Sequence, residues 1–398
     1  MPFLAMADNH QLARVIENFL PDLNHKHKLP AFKLKTLNAL MHCRTKYMGG
    51  RVEACQSCGQ IHTLYNSCRN RHCPKCGAID KEKWIMAREA DLLPVKYFHV
   101  VFTVPDKLNY LFMNNQEIMY NLLFTVAWDV LSDFGKTKKW IGGRIGATAI
   151  LHTWGQNLSY HPHLHWIIPA GALMPSGKWK HSRNRGKYLF KVNHLSSVFR
   201  ARFVEKTREL IRQKRIKGKL PSNLFDKDWV VYAKRPFGGP GQVIKYLSRY
   251  THRSAISNER ILNVDHQTVT FSWKDYRNNY KKQVTTLDGA DFLNLFCQHI
   301  LPSGFTRIRH YGYLSSAAKG KSLPIIRKAL KANPVKQPTK RPWQEIVMER
   351  MGINPGICKS CGGKMVPVEF IPDQFHQSLR APPVKTKEDI INNWNYTF

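Results

Sequence analysis

Two cysteine pairs, Cys55-x2-Cys58 and Cys73-x2-Cys76, lie 14 residues apart in a chain of 398 residues, and they restrict the fold more than any other feature. Each pair has the spacing of a tight turn that presents two thiolates to a tetrahedral ion. Gly59 and Gly77 follow directly, which suits a turn that aims backbone amides at sulfur. The expected site is therefore a closed structural zinc held by Cys55, Cys58, Cys73 and Cys76, with Cys68 and His72 as candidate additional ligands. Nine cysteines, five of them between positions 55 and 76, are too unevenly placed for a disulfide framework. Arg69, Arg71 and Lys75 stand among the ligands, so the metal is expected to stiffen a basic loop against nucleic acid. Far downstream, Cys358-x2-Cys361-Gly-Gly reads as half of a second zinc site, with His376 as a candidate partner.

Charge gives the class of partner. There are 62 Lys and Arg against 27 Asp and Glu, a net +35, while 43% hydrophobic and 11% aromatic residues exclude a disordered basic tail. A folded cation of this kind seeks a polyanion; a ribosomal or chromatin packing protein fits the same composition. No apolar run reaches the roughly 18 residues a membrane span needs, and the first residues lack the apolar stretch of a signal peptide. The expectation is a cytoplasmic, nucleoid-associated protein with no membrane partner.

Periodicity divides the chain into an amino-terminal helical segment (1–48), a zinc-binding, DNA-binding domain (49–93), a catalytic domain (94–327), a basic Lys- and Pro-rich linker (328–342) and a carboxy-terminal segment (343–398). Helices are expected over 9–20, 29–41, 115–134, 195–214 and 289–300. Strands are expected over 97–104, 146–154, 163–170, 229–233 and 269–273. This order implies an α+β layer in which a helix covers one face of an antiparallel sheet.

Within that layer, His161-Pro-His163-Leu-His165 places three imidazoles at alternate positions, and alternate residues of a strand share a face. Leu164 and Trp166 face the other way, into the core. Neutral imidazoles converging on one side make a divalent-metal site. Gln156, at the end of the preceding strand, offers an oxygen as third ligand, and His161 is its rival. Downstream, Tyr246 and Tyr250 are four residues apart on an expected helix and so share one side of it, among Lys245, Arg249 and Arg253. Read alone, the tyrosines suit a packed core face with a charged outer side better than a catalytic role. Beside a metal site, a tyrosine can attack a DNA phosphodiester.

The segments NSCRNRHCPKCG, LLPVKYFHVVFTVP, HTWGQNLSYHPHLHWIIPAGAL, YLSRYTHRSAISNERI and GFTRIRHYGYLS, in this order, resemble the two-tyrosine HUH rolling-circle transposases of the insertion sequence ninety-one family. The resemblance implies an HUH endonuclease fold with an RRM-like antiparallel core, preceded by a zinc-binding domain. It makes His163 and His165 the metal-binding pair, with Mg²⁺ or Mn²⁺, and Tyr246 and Tyr250 the nucleophiles. Related replication initiators, with an acidic or amide residue near that offset, favour Gln156 as third ligand. It further implies nicking and rejoining of single-stranded DNA and hairpins at element ends through a 5′-phosphotyrosine. Unwinding would fall to a host helicase and the replication machinery, because no GxxxxGK[ST] motif is present. The competing readings are a plasmid or phage replication initiator and a non-enzymatic zinc-dependent nucleic-acid-binding regulator. Tyr311 and Tyr313 are candidates for base stacking or for the core.

Overall fold

The computed structural model describes residues 11–183, 188–237, 241–243, 246, 253–275, 278–335 and 341–380. Its centre is a five-stranded antiparallel sheet in the order β12-β4-β5-β3-β8, built from β3 (Tyr97–Thr103), β4 (Gly146–Trp154), β5 (Tyr160–Pro169), β8 (Val231–Phe237) and β12 (Ile308–Gly312). The alternation of β3 and β5 decides which residues meet on each side. Phe98, Val100 and Phe102 of β3 join Leu164, Trp166 and Ile168 of β5 and Ala147, Ala149 and Leu151 of β4 in one apolar cluster. Helices α5 (Gln116–Lys136) and α6 (Val192–Arg212) cover that face, pressing Leu123, Phe124, Ala127, Phe199 and Phe203 onto it. Trp166 is completely buried and stacks at 6.1 Å on Trp128 of α5.

The registers bring histidines together on the opposite face. His163 is paired with Thr103 of β3 and with His152 of β4, and His165 with Val101 and Ile150. That face is apolar at its far end, where Ile150, Ile167, Val243 and Tyr313 pack with Leu323 and Ile326 of α8 (Ser316–Ala329). Tyr313 is fully buried and Tyr311 stacks on Trp128 at 4.9 Å, so both belong to the core rather than to a base-stacking surface. Gly312 holds the turn between them at φ +62, where an added Cβ would lie 1.8 Å from the Ile145 carbonyl oxygen.

A second sheet, β11-β10-β9, comprises β9 (Ile261–Val264), β10 (Thr268–Asp275) and β11 (Lys281–Asp288). It continues into α7 (Gly289–Gln298), which Asp288 caps by accepting from the Ala290 and Asp291 amides at 2.9 and 3.2 Å. The first helix, α1 (Gln11–His27), buries Leu12, Val15, Ile16, Phe19 and Leu23, the i, i+3, i+4 pattern of an amphipathic stripe. It lies in one apolar cluster with α7 and β9, and the ring of Phe19 reaches 2.2 Å from where a Cβ on Gly289 would stand. Helix α2 (Ala31–Met41) adds Leu37 and Leu40 to this cluster. The helical segment expected over 1–48 is thus, in helices α1 and α2, packed into this second core.

The carboxy-terminal segment likewise returns to the beginning of the chain. A third sheet, β13-β1-β2, joins β1 (Gly50–Cys55) and β2 (Ile61–Tyr65) to β13 (Met365–Ile371). Of the expected linker 328–342, residues 328 and 329 complete α8 and residues 336–340 lie outside the described residues. Helix α9 (Trp343–Met351) then crosses to α3 (Ala78–Asp91), where Arg350 bridges Glu82 at 3.2 Å and Glu89 at 2.9 Å.

Several buried imidazoles are held neutral, chiefly by burial. His163 is pushed down to about 3, and His299 and His310 to about 4. His72 and His165 lie well below the usual range for the same reason. Unfolded, these groups titrate near 6.5. As pH falls below about 6.5 the unfolded chain binds protons that the folded chain refuses, so stability falls with pH until the folded values are reached. The urea midpoint is accordingly expected to be level from pH 8 to 7 and to drop from pH 7 to 5, above the carboxylate range; a midpoint unchanged at pH 5 contradicts this account. A second expectation concerns Trp166→Ala, which removes the largest side chain beneath the histidines and should lower the unfolding free energy by about 3 to 5 kcal/mol in urea denaturation.

Candidate metal centres and nucleophile

The ring nitrogens of His152, His163 and His165 lie within 4.8 Å of one another. Two are the strand pair expected from the sequence. The third, His152, comes from the facing position on β4, where Gln156 or His161 was expected. Gln156 instead stands in the turn beyond the strand, with its carbonyl oxygen accepting from the Arg260 guanidinium. His161 is beside His163, with ring centroids 5.1 Å apart, and lies outside the group of three. The signal for His152 was its own alternation, Thr148, Ile150, His152 on β4, but only the inter-strand register brings it opposite His163.

The surrounding hydrogen bonds fix which nitrogens are available. His163 Nδ1 is 2.6 Å from the His161 carbonyl oxygen and donates to it, leaving Nε2 as the lone-pair atom. His165 Nδ1 is 2.8 Å from Nε2 of His99, a β3 residue on the same face that the sequence reading did not single out. The two rings are stacked, with centroids 5.1 Å apart and planes at 14°. With their charge suppressed by burial, the imidazoles present a neutral nitrogen donor set, to which divalent transition ions bind more readily than the oxygen-seeking Mg²⁺.

Tyr246 reaches this cluster. Its phenol oxygen is 2.7 Å from His99 Nε2 and 3.3 Å from His165 Nδ1, although 81 residues separate Tyr246 from His165. Tyr250, Lys245 and Arg249 lie outside the described residues. Arg253 is exposed, and its carbonyl oxygen accepts from Arg307 at 3.3 Å.

The cysteines form two groups, but the expected set Cys55, Cys58, Cys73 and Cys76 is divided between them. Cys43, Cys68, Cys73 and Cys76 form the first, with Cys43 to Cys76 at 3.4 Å, Cys43 to Cys73 at 3.6 Å and Cys68 to Cys76 at 3.7 Å. The second joins Cys55 and Cys58 to Cys358 and Cys361. The cause is the β1–β2 hairpin. Cys55 and Cys58 are at its tip, while Asn66, at its base, donates to Gly49 and accepts from Arg44 beside Cys43. A five-residue ladder separates tip from base by roughly 17 Å, beyond the reach of one ion. Cys68, a candidate addition, is a full member of the first group, and Cys43 is a ligand candidate that lacked any neighbouring cysteine to announce it. The two groups, with the zinc-binding domain in which most of these cysteines lie, support structural zinc.

The other candidates divide. His72 is buried and accepts from the Leu301 amide at 3.3 Å, a core contact outside both cysteine groups. His376 pairs with Asp373 at 2.5 Å and is not among the second group. Arg71 is half-buried and donates to the Phe305 carbonyl, so its guanidinium braces the zinc loop against the central domain. Lys75 is half-buried and Arg69 exposed. Among the described residues no helix is long and apolar enough to cross a membrane.

Residues 146–322, which hold the three histidines and Tyr246, match the family described as "Putative transposase". Residues 15–104 match the family described as "Transposase zinc-binding domain". The "Putative transposase y4qJ" of Sinorhizobium fredii (strain NBRC 101917 / NGR234) is 36% identical over 354 residues, which cover 84% of this chain and 89% of the relative. The "Transposase for insertion sequence element IS801" of Pseudomonas savastanoi pv. phaseolicola is 29% identical over 356 residues, covering 84% of this chain and 83% of the relative. No solved structure matches the chain. On a central sheet carrying three histidines, an amino-terminal cysteine-rich domain and these relatives, the chain belongs to the insertion sequence ninety-one family of transposases.

Proposed function

We propose that this transposase cuts and rejoins single-stranded DNA at element ends through a 5′-phosphotyrosine, with Tyr246 as a nucleophile, in a rolling-circle type of transposition. The observation that carries the reading is the Tyr246 phenol, 2.7 Å from His99 and 3.3 Å from His165, at the edge of the three-histidine group. In the reaction the Tyr246 oxygen bonds to phosphorus and the bond from phosphorus to the 3′ oxygen breaks. The phenol loses its proton, and the departing 3′ oxygen gains one to become a free hydroxyl. His99 and His165 Nδ1 are within reach of the phenol proton. A divalent cation on His152, His163 and His165 would draw charge from the non-bridging phosphate oxygens. The free 3′-hydroxyl can then attack the phosphotyrosine or a second strand, and Tyr250 is the proposed second nucleophile.

The net charge of +35 supports a grip on displaced single strands and hairpins, with unwinding left to a host helicase. Arg69, Lys75, Lys245, Arg249 and Arg253 are the proposed DNA contacts. A replication initiator would share the chemistry, but the match to the transposase zinc-binding domain favours transposition.

The test is incubation of the protein with labelled single-stranded element-end DNA and Mn²⁺, followed by a denaturing gel. A protein-linked DNA band is expected, lost with chelator and in the double variant Tyr246→Phe, Tyr250→Phe. Binding without any covalent product across element-end sequences would identify a regulator instead. His152→Ala and His163→Ala should each lower cleavage at least about a hundredfold while leaving DNA binding within about threefold. Equal loss of binding and cleavage would give these histidines a structural role.

A further inference from the structure

We infer that the second cysteine group, Cys55, Cys58, Cys358 and Cys361, holds its own zinc ion, a clasp that fastens the carboxy-terminal segment onto the amino-terminal domain. The match to the zinc-binding domain ends at residue 104 and so contains the whole of the first group but only half of this one.

The two halves are built alike. Each is Cys-x2-Cys-Gly, and each turn is closed by the glycine amide, Gly59 to the Cys55 carbonyl and Gly362 to the Cys358 carbonyl, both at 3.0 Å. Both glycines take the left-handed conformation, φ +71 and +74. In each turn an amide also points at sulfur at 3.4 Å, Ser57 at Cys55 and Gly363 at Cys361. The halves face each other, Cys55 to Cys361 at 3.4 Å and Cys58 to Cys358 at 3.8 Å. Those separations are far too long for disulfides and suit sulfurs arranged around one tetrahedral ion. Gly363 allows the approach, since a Cβ there would stand 2.4 Å from Ser57 Oγ and 2.9 Å from Cys55 Sγ.

The surrounding fold explains why an ion is needed. In the sheet β13-β1-β2, the flanking strands bury little: Ile61, Leu64, Val368 and Phe370 are all exposed. A small sheet without an apolar face against a core is marginal by itself, and small units of this kind rely on a metal or a similar staple. The remaining attachments are slight. Arg350 makes surface ion pairs to α3, which contribute little, and Phe375 on α10 (Gln374–Arg380) packs on Ala39 and Met48.

The test reads thiolate-bound metal only, so that ions on the histidines do not enter. The full-length chain is reduced, stripped and reconstituted with Co²⁺, and its thiolate-to-cobalt absorption is titrated. Two thiolate-bound ions per chain are expected, falling to one in Cys358→Ser, Cys361→Ser, while Cys361→His keeps two with a weaker thiolate band. In the double serine variant the β1 and β13 amides should exchange hydrogen at least about tenfold faster, with the central sheet unchanged. One thiolate-bound ion in the wild-type chain overturns the proposal, as does a serine variant that still binds two. Should the serine variant fail to fold, two thiolate-bound ions in the wild type still decide for the clasp, because the first group can supply only one.

Discussion

The two-residue period of β5 is the constraint on which the site depends. One sequence, His-Pro-His-Leu-His-Trp-Ile-Ile, is divided by strand geometry into a face that sinks Leu164, Trp166 and Ile168 under two helices and a face that gathers His163 and His165 beside His152. The same burial that anchors the strand suppresses the charge on the imidazoles, so stability and the ability to donate a lone pair come from a single arrangement. A shift of one residue in register would exchange the two sets completely. The pairing of β5 with β3 on one side and β4 on the other makes such a shift costly for three strands at once.

Much of this was legible from the residues. The strands at 97–104, 146–154 and 163–170 and the covering helix are close to the observed β3, β4, β5 and α5, because apolar alternation and long apolar runs report local geometry. That His163 and His165 share one face of a strand was readable for the same reason. His152 and His99 were not, because their approach depends on inter-strand register, which no single strand's pattern contains. The cysteines show the opposite failure: spacing correctly marked the two amino-terminal pairs as turns that present sulfur, but spacing cannot say which turns meet. A hairpin carried one pair out of reach of the other, and the chain's far end supplied its partners.

The metal-capable groups differ in how their residues are gathered. The histidines come from adjacent strands of one hairpin, and the first cysteine group from a stretch between positions 43 and 76, whereas Tyr246 is 81 residues from His165 in the chain. The histidine group is therefore local, and Tyr246 reaches it from a separate part of the chain.

The pairing of β1 with β13 has a consequence for the chain during its synthesis. Cys55 and Cys361, whose sulfurs meet beside the sheet, are 306 residues apart, so the edge of β1 that β13 covers stays open until residues 365–371 have left the ribosome. At roughly 5 to 20 residues per second that interval is tens of seconds, long enough for an uncovered strand edge to meet another chain. A message cut short anywhere before residue 365 leaves that edge without its native partner, so every such truncated chain carries an open strand edge with it.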